Sequence, residues 1–407
     1  MRILHTVEFY EPSRGGAQEV VRRLSEAIAR RGHEVTVATA KLPGRDFNEL
    51  NGVRIVEFDL SGNTVDGVRG NSWAYQRYLT TSDFDVVMAY AAQQWATDLL
   101  LDCADDIRGA RVCAPCGYSG LHWPRFARYF ESLPAKLGKL EATVYHSPSY
   151  QDIELARAHG LGDLHVIPNG AAEADFGDLG RGRSSGTELR KRYGIDGMLV
   201  LTVGSHTGLK GHRQAMATFA AAPIGPSTLV VIGNGRPGEG CYDSCHAWAK
   251  RLNVGLRATG KRVLVLDLPR EDVVAAFWAA DIFLFLSVIE CSPIVLFESA
   301  ASGTAFIASE VGNAAEIAQW TGAGEVVPNL CVRHGSRIAH PVRAVAALAR
   351  LAREPRRREK MAEAGRQAWQ ERYRWELIAD RYLALYEDVV ARRRGDGYVA
   401  ARPGAVR

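Results

Sequence analysis

Short apolar runs alternate with amphipathic helical patterns along this chain, and the alternation occurs in two series. The first series runs from residues 2–7 to residues 164–167, and the second begins at residues 198–203 and continues through residues 282–286. Strands that alternate with helices predict a parallel sheet covered by helices on both faces. The sequence therefore predicts an α/β protein with two domains of similar size, each built on a doubly wound sheet.

A stretch of different composition separates the two series. Residues 173–187 are rich in Gly, Asp, Arg and Ser and contain few large apolar side chains, which predicts an interdomain linker. We therefore expect an N-terminal Rossmann-like domain at residues 1–172 and a C-terminal Rossmann-like domain at residues 188–374. Three helical patterns close the chain, at residues 342–353, 356–373 and 375–394.

Length and charge limit the classes of protein that this chain can belong to. Its 407 residues exceed one ordinary domain, and its net charge is only +4, which excludes a strongly basic nucleic-acid binder. No apolar run approaches the ~20 residues of a membrane span, and the N-terminus has no secretory segment, so we expect a cytoplasmic protein. Arginine runs at residues 356–358 and 392–394 leave a peripheral contact with the inner face of the membrane open, although solvated helix faces are favoured.

The seven cysteines are scattered along the chain. Two close pairs, Cys113 with Cys116 and Cys241 with Cys245, could be ligands of a zinc ion. The pairs lie far apart in sequence and are expected in different domains, so reduced thiols of a cytosolic protein are favoured. We expect no metal.

Two glutamates after the apolar run at residues 282–286 give the strongest chemical signal. Glu290 lies on a predicted turn, and Glu298 lies inside the helix that follows. Ser292 can cap that helix, and the amides at its start would then be free to meet an anion.

Carboxylates at these two positions can accept hydrogen bonds from hydroxyl groups. Glu290 could accept from a sugar, and Glu298 could accept from the diol of a ribose. The layout suits a nucleotide sugar whose diphosphate meets the helix N-terminus. The alternative is that Glu290 is an ordinary turn residue and that Glu298 faces solvent, but the apolar neighbours of Glu298 favour a buried acid with a partner.

Glycine-rich turns follow three of the predicted strands. One runs from Gly204 to Gly211 and contains Lys210; its glycines let the backbone approach a phosphate, and the lysine adds a positive charge. The others are residues 233–235 and Gly15-Gly16, the latter at a helix N-terminus. Each is a weak signal alone, and a simple turn is the alternative.

The order of these motifs resembles that of the retaining glycosyltransferases of family 4, which have the two-domain GT-B fold. The resemblance covers nearly the whole chain, from Gly15-Gly16 through Pro168-Asn169-Gly170 to the Glu290 turn and Val311-Gly312-Asn313. It implies two Rossmann-like domains that face a central cleft. It also implies that the last helix, about residues 375–394, crosses back to the N-terminal domain.

The resemblance further implies roles at matching positions. Lys210 would neutralise the departing diphosphate, Glu290 would hold the donor hexose, and Glu298 would bind the ribose. We expect Lys210 and Glu290 to be the catalytic residues. The expected donor-binding residues are Gly15, Gly16, Gly204, Ser205, Lys210, Gly233, Asn234, Leu268, Glu290, Cys291, Ser292, Ile294, Val295 and Glu298.

One departure from the family concerns the phosphate site. The family often has an arginine where Ser205 stands, so one cation is missing or comes from elsewhere; Arg14 and Arg213 are near in sequence.

A second departure concerns the acceptor side. No residue aligns with the family's N-terminal-domain histidine, and Tyr118 or His122 is the candidate for its role. The aromatic segment at residues 116–140 could floor an acceptor pocket, bind a lipid-linked glycan, or form an ordinary packed loop and helix.

The expected reaction is transfer of a hexose-type sugar from a nucleoside diphosphate to an acceptor hydroxyl, with retention and by front-face attack. Lys210 and helix N-termini can hold the diphosphate, so no metal or other cofactor is expected. The acceptor could be a glycan, a glycolipid or a small molecule, and the donor's base and sugar and the oligomeric state stay open.

The alternatives to sugar transfer are a sugar-nucleotide epimerase or hydrolase of the same fold and a non-catalytic sugar-nucleotide binder. A dinucleotide oxidoreductase fits poorly, because the first glycine loop lacks the full G-x-G-x-x-G pattern.

Overall fold

The computed structural model describes residues 1–333 and 336–395. The described chain divides into two compact units. Unit 1 contains Met1–Pro168 and the chain from Trp375 onward, and unit 2 contains Asn169–Arg374.

The strands and helices alternate through both units. In chain order, the strands are β1 (Arg2–Thr6), β2 (Glu34–Ala40), β3 (Glu49–Leu50), β4 (Val53–Phe58), β5 (Leu60–Asn63), β6 (Gly67–Gly70), β7 (Val86–Tyr90), β8 (Ala110–Ala114), β9 (Ala142–Tyr145), β10 (Leu164–Val166), β11 (Met198–Val203), β12 (Ser227–Ile232), β13 (Lys261–Leu266), β14 (Ile282–Phe285), β15 (Ala305–Ser309), β16 (Gly324–Val327), β17 (Asn329–Arg333) and β18 (Ser336–Ala339). The helices are α1 (Gly16–Arg30), α2 (Ser72–Thr81), α3 (Trp95–Asp102), α4 (Ala127–Leu137), α5 (Gln151–Ala158), α6 (Glu173–Phe176), α7 (Leu179–Arg192), α8 (His212–Ala221), α9 (Tyr242–Leu256), α10 (Arg270–Ala279), α11 (Ile294–Ser302), α12 (Ala314–Thr321), α13 (Pro341–Arg353), α14 (Pro355–Arg372) and α15 (Trp375–Arg394).

Unit 1 is built on an eight-stranded sheet in the order β10-β9-β8-β7-β1-β2-β4-β3. Every pairing in it is parallel except that of β3 with β4. The strand order reverses between β1 and β7, and their carboxyl ends lie at one edge of the sheet. In doubly wound sheets, ligands bind outside the carboxyl ends at such a reversal.

Unit 2 is built on a six-stranded parallel sheet in the order β13-β12-β11-β14-β15-β16, with its reversal between β11 and β14. Successive residues of β11 face opposite sides: Leu199 and Leu201 pack in one buried cluster, and Val200 packs in another. Both faces are therefore covered, which is why the strands have continuous apolar sequences. The prediction of doubly wound parallel sheets is confirmed.

The segment at residues 173–187, predicted as a linker, is different in the structure. It forms α6 and most of α7, and it belongs to unit 2. Gly182 and Gly186 are buried against the neighbouring helix, where a Cβ atom would lie 2.2 Å from the ring of Trp278 and 2.9 Å from the amide nitrogen of Ala279, respectively. The glycines that suggest a loop in the sequence thus permit close helix packing.

The last helix, α15, belongs to unit 1 and contacts α1 and β8. Its Tyr386 hydroxyl is hydrogen-bonded at 3.0 Å to Nε2 of His5 on β1, and Nδ1 of His5 is 2.8 Å from the Ser25 hydroxyl on α1. Burial lowers the pKa of His5 to about 3. A neutral imidazole therefore joins three elements of unit 1.

The arginine run at the end of α15 is paired with acids of the same unit. Arg392 bonds Asp163 at 2.6 Å, Arg394 bonds Asp85 at 2.6 Å, and Arg393 bonds Glu141. These pairs favour the expectation of an ordinary charged helix face over a lipid contact. Within residues 1–333 and 336–395, no helix combines the length and the apolarity that crossing a membrane requires.

Candidate functional site

The lysine loop and the Glu290 turn follow the two strands at which the order of the unit 2 sheet reverses. The loop at residues 204–211 follows β11, and the turn at residues 287–293 follows β14. Parallel strands place their carboxyl ends at one edge, so the fold brings together motifs that are 80 residues apart in sequence. This is the position at which ligands of doubly wound sheets bind.

An ion pair joins the two motifs. Nζ of Lys210 lies 2.6 Å from Oε1 of Glu290, and the Ser287 hydroxyl donates to the same oxygen at 2.7 Å. Both charged side chains are mostly shielded, with 29% and 12% of their surface exposed. The pair presents one positive and one negative group at the sheet edge, where a phosphate could compete for the lysine and a hydroxyl could donate to the carboxylate.

Backbone contacts hold the lysine loop against the turn. The Val288 amide donates to the Leu209 carbonyl at 2.8 Å. Gly211 begins α8 with a left-handed φ of +68°, and a Cβ atom there would lie 1.8 Å from the Leu286 carbonyl oxygen. Only glycine fits this position, which fixes where Lys210 leaves the loop.

The Glu290 turn leads into α11, but Ser292 does not cap this helix as predicted. Pro293 occupies the N-cap position, and the Ser292 hydroxyl is buried with no hydrogen-bond partner among the described residues. Because Pro293 is the N-cap residue, Ser292 stands one position before the cap, and its carbonyl accepts from the Asn169 side chain at 3.0 Å. The amides of Ile294 and Val295 precede the first hydrogen bond of the helix, from Leu296 to Pro293 at 3.2 Å, so they remain suited to an anion.

Glu298 is a buried acid, 3% exposed, and its partner is a residue that sequence reasoning missed. Nη2 of Arg270, the first residue of α10, lies 2.5 Å from Oε1 of Glu298 and 2.7 Å from Oδ2 of Asp175. The sequence offers one signal that Arg270 belongs to the site: it follows the loop after β13, at the same edge of the sheet. The alternative interpretation of the sequence, that Glu298 faces solvent, is wrong.

The remaining predicted donor-binding residues of unit 2 lie around this edge. The Gly204 amide donates to Ile232 at 2.9 Å, the Gly233 amide donates to Leu266 at 3.2 Å, and the Asn234 carbonyl accepts from His206 at 3.1 Å. Three others are placed nearby in the chain: Ser205 follows Gly204, Cys291 accepts from the Asn313 amide at 2.9 Å, and Leu268 lies between β13 and α10.

Arg213 does not replace the arginine that the family often has at the position of Ser205. The guanidinium carbon of Arg213 lies 5.1 Å from the ring centroid of Trp248 on α9, where it makes a cation–π contact. Arg14 belongs to unit 1.

Unit 1 places its predicted residues at the carboxyl edge of its own sheet. Gly15 and Gly16 begin α1 after β1. Tyr118 and His122 follow β8; Tyr118 is 2% exposed, and burial raises the pKa of its hydroxyl, whereas His122 is exposed. Their role at the acceptor stays a prediction.

The same edge carries titratable residues that the sequence did not point to. His146, after β9, is hydrogen-bonded to the Tyr90 hydroxyl at 3.0 Å and to the Ile167 carbonyl at 2.9 Å. Burial opposes its charge, but Cys116, the Ile167 carbonyl and Asp152 together raise its pKa. Burial also raises the pKa of Asp152 to about 6.

Glu8 follows β1 at this edge. Burial and the charge of Asp98 raise the pKa of Glu8 to about 7. Perturbed pKa values are frequent at functional sites, so Glu8, His146 and Asp152 join the residues to be tested.

Residues 83–85 have the sequence Asp-x-Asp, a pattern often associated with metal-bound diphosphates. They lie away from the candidate site residues. They precede β7, at the amino edge of the sheet. Asp83 pairs with Arg2 at 3.3 Å, and Asp85 accepts from the Arg2 amide at 2.8 Å. These carboxylates bind Arg2 at the amino edge of the sheet, opposite the edge that carries the candidate site residues.

Several solved structures share this architecture. The sucrose-phosphate synthase of Thermosynechococcus elongatus is 19% identical and matches 96% of this chain and 100% of its own, with a TM-score of 0.76. HepE of Anabaena, in complex with UDP and glucose, is 15% identical and matches 95% and 100%, with a TM-score of 0.72. WaaG, a glycosyltransferase involved in lipopolysaccharide biosynthesis, is 19% identical and matches 97% and 100%, with a TM-score of 0.65. These likenesses show the GT-B fold.

The sequence comparisons define the family. Residues 14–173 match the model of Glycosyltransferase Family 4, and residues 197–350 match that of the glycosyl transferases group 1, so the two models together cover most of the chain. The chain belongs to the glycosyltransferases of family 4. The D-inositol 3-phosphate glycosyltransferase of Acidothermus cellulolyticus is 27% identical over 239 residues, which is 57% of this chain and about half, 49%, of that relative.

Proposed function

We propose that this chain transfers a sugar from a nucleoside diphosphate sugar to an acceptor hydroxyl, with retention at the anomeric carbon and without a metal in the reaction. The observation that carries the proposal is the Lys210–Glu290 ion pair, 2.6 Å long, at the reversal of the unit 2 sheet. Family membership supports the reaction class. The lysine and the N-termini of α8 and α11 supply the positive potential that a diphosphate needs.

In the proposed reaction, the bond between the anomeric carbon and the diphosphate oxygen breaks while the acceptor oxygen bonds to the same face of that carbon. The acceptor proton passes to a diphosphate oxygen, so no protein base is required. Charge develops on the departing diphosphate, and Lys210 with the amides of Ile294 and Val295 would stabilise it. A lysine already held by Glu290 and by the Gly211 turn needs little reorganisation.

The two glutamates divide the remaining tasks. Glu290 would accept from hydroxyls of the donor sugar, and Glu298, fixed by Arg270, would accept from the ribose diol. HepE has been solved with UDP-glucose, and a trehalose-phosphate synthase of the same fold is UDP-forming, so UDP and its sugars are the first donors to test.

The acceptor side belongs to unit 1, with Tyr118, His122 and the group around His146 as candidates. We place the reaction in the cytoplasm. The acceptor class is a glycan, a glycolipid or a small molecule, and the named inositol-phosphate relative makes phosphorylated cyclitols a reasonable first small-molecule panel.

The test combines ligand binding and turnover. A thermal-shift screen over nucleoside diphosphates and their sugars should show stabilisation by one nucleotide series. With that donor, Lys210→Ala should reduce kcat by about 10²–10³-fold, as loss of one preorganised charge contact does. The matched control is Lys250→Ala, an exposed lysine on α9.

Three outcomes would contradict the proposal. Near-normal turnover of Lys210→Ala would remove Lys210 from the mechanism. Conversion of the donor at full rate without any acceptor would indicate an epimerase or hydrolase. Nucleotide binding with no turnover across the acceptor panel would favour the non-catalytic binder.

A further inference from the structure

Two histidines and two cysteines meet beside the lysine loop of unit 2. His206 lies in that loop, His212 is the first residue of α8, Cys241 precedes α9, and Cys245 lies in its first turn. One potential ligand atom from each of the four lies within 4.8 Å of the others. Three separate chain segments thus bring two imidazoles and two thiols to one point.

We propose that these four residues form a structural zinc site. The inference does not depend on the proposed sugar transfer. It replaces the expectation that the cysteines are simple reduced thiols, and it separates Cys241 and Cys245 from Cys113 and Cys116, which lie in unit 1.

The separations fit a tetrahedral ion. Sγ of Cys241 is 3.6 Å from Nδ1 of His206, and Sγ of Cys245 is 3.9 Å from Nδ1 of His212. With Zn–S near 2.3 Å and Zn–N near 2.0 Å, a sulfur–nitrogen edge of a tetrahedral site is about 3.5 Å. Both pairs are at or slightly above that length, so a zinc ion would fit with small side-chain adjustments.

The site is mostly buried, and a zinc ion would leave it electrically neutral. His206 is 4% exposed, His212 is 3% exposed, Cys245 is fully buried, and Cys241 is half-buried. Two thiolates and two neutral imidazoles balance the charge of Zn²⁺, so the complex could be buried without another ion. The two thiol protons would be released to solvent when zinc binds.

Both imidazoles have a ring nitrogen that is available for ligation. The Nε2 atoms of both rings are buried without a hydrogen-bond partner among the described residues. Either ring could therefore turn and ligate through Nε2 without breaking a hydrogen bond at that atom.

The choice of metal follows from the donor set. Two sulfurs and two nitrogens in a tetrahedral arrangement favour zinc over magnesium or calcium, which take oxygen ligands. The spacing H-x₅-H followed by C-x₃-C falls within the range of structural zinc sites, although the pairs occur in reverse order. Four protein ligands leave no open position, so the ion would not take part in the reaction.

A bound zinc ion would fix the position of the lysine loop at residues 204–211. His206 and His212 bracket Lys210, Cys241 immediately precedes α9, and Cys245 lies in its first turn. The start of α9 already meets the loop through the bond from the Cys241 amide to the His206 carbonyl at 2.9 Å and through the Tyr242 ring, 5.4 Å from the His206 ring. The ion would join the two ends of the loop to this helix.

The first experiment measures metal in the full-length chain. Protein purified without chelator, incubated with zinc and desalted, should contain one zinc ion per chain by mass spectrometry of the metal. Replacing zinc by cobalt(II) should give the absorption of a tetrahedral ion and the near-ultraviolet charge-transfer band of thiolate ligands. Cys241→Ser with Cys245→Ser should remove the bound metal and the charge-transfer band.

Matched controls keep the result specific. Cys331→Ser removes an exposed cysteine of the same unit, and His246→Asn changes a histidine on α9 outside the four, 6.5 Å from the His206 ring. Both variants should retain one zinc ion. If the double cysteine variant does not fold, the cobalt spectrum of the unmodified, folded protein decides the question.

Several results would overturn the inference. They are the absence of stoichiometric zinc in the folded protein, a cobalt spectrum without the thiolate band, unchanged metal content after loss of both cysteines, and a disulfide between Cys241 and Cys245 found by peptide mass spectrometry.

Discussion

Replacing Gly211 by alanine should destabilise unit 2 by about 3 kcal/mol. An L side chain at a φ of +68° costs about 1–2 kcal/mol. The new Cβ atom would also lie 1.8 Å from the carbonyl oxygen of Leu286 and 2.3 Å from its carbon, and because both are backbone atoms, the overlap adds about 1–3 kcal/mol. Lower entropy of the unfolded chain returns about 0.4–1 kcal/mol.

Gly208 is a matched control in the same loop. Its φ is +83°, but nothing lies within 4 Å of a Cβ atom built there, so Gly208→Ala should cost only about 1 kcal/mol.

Thermal unfolding followed by circular dichroism measures the difference. For a unit of about 200 residues, each kcal/mol lowers the midpoint by about 2–4 °C, which gives about 6–12 °C for Gly211→Ala and about 2–4 °C for Gly208→Ala. Equal shifts for the two variants would show that the close approach of Gly211 to the chain after β14 is wrong, and with it the account of how the lysine loop is positioned.

Three further predictions concern titration and pairing. The pKa of His5 is lowered from 6.5 to about 3, so the unfolded chain takes up a proton that the native chain does not, and stability should fall as the pH decreases through this range; His5→Asn should remove that part of the pH dependence in urea unfolding. The pKa of Glu8 is raised from 4.5 to about 7, so its contribution is present below pH 4.5 and is lost as the pH rises through 7; Glu8→Gln should be relatively more stable than the parent at pH 8 than at pH 4, and a constant difference would contradict this. Arg270→Met and Glu298→Gln should be coupled by about 1–3 kcal/mol in a double-mutant cycle of unfolding, and additive effects would show that their 2.5 Å contact contributes nothing.

Most of the fold could be predicted from the sequence because the strands are buried on both faces. The apolar run at residues 198–203 predicted β11 with the bounds that the structure shows, and the run at residues 282–286 predicted β14 to within one residue. The helices at residues 173–187 could not be predicted, because a helix that uses glycines to pack closely against another helix has the same composition as a loop. The role of these glycines depends on Trp278, almost 100 residues later in the chain.

The candidate site could be predicted in part. Lys210 and Glu290 belong to motifs with local signatures, and parallel-sheet topology brings their strand ends together. Arg270 has no such signature, since its pairing with Glu298 depends on how α10 and α11 lie over the sheet. The same limit applies to the cysteine–histidine group, whose four members are spread over 40 residues and three segments.

The position of α15 has a consequence for synthesis on the ribosome. The helix completes unit 1, yet unit 2 is translated between it and the rest of that unit. At about 5–20 residues per second, unit 2 takes roughly 10–40 seconds to translate, and throughout that interval β1 and α1 lack the face of α15 that carries Tyr386. During that interval, unit 2 can fold while the apolar surface beneath α15 stays open, so the nascent first half is the stage at which this chain is most exposed to aggregation and chaperone binding.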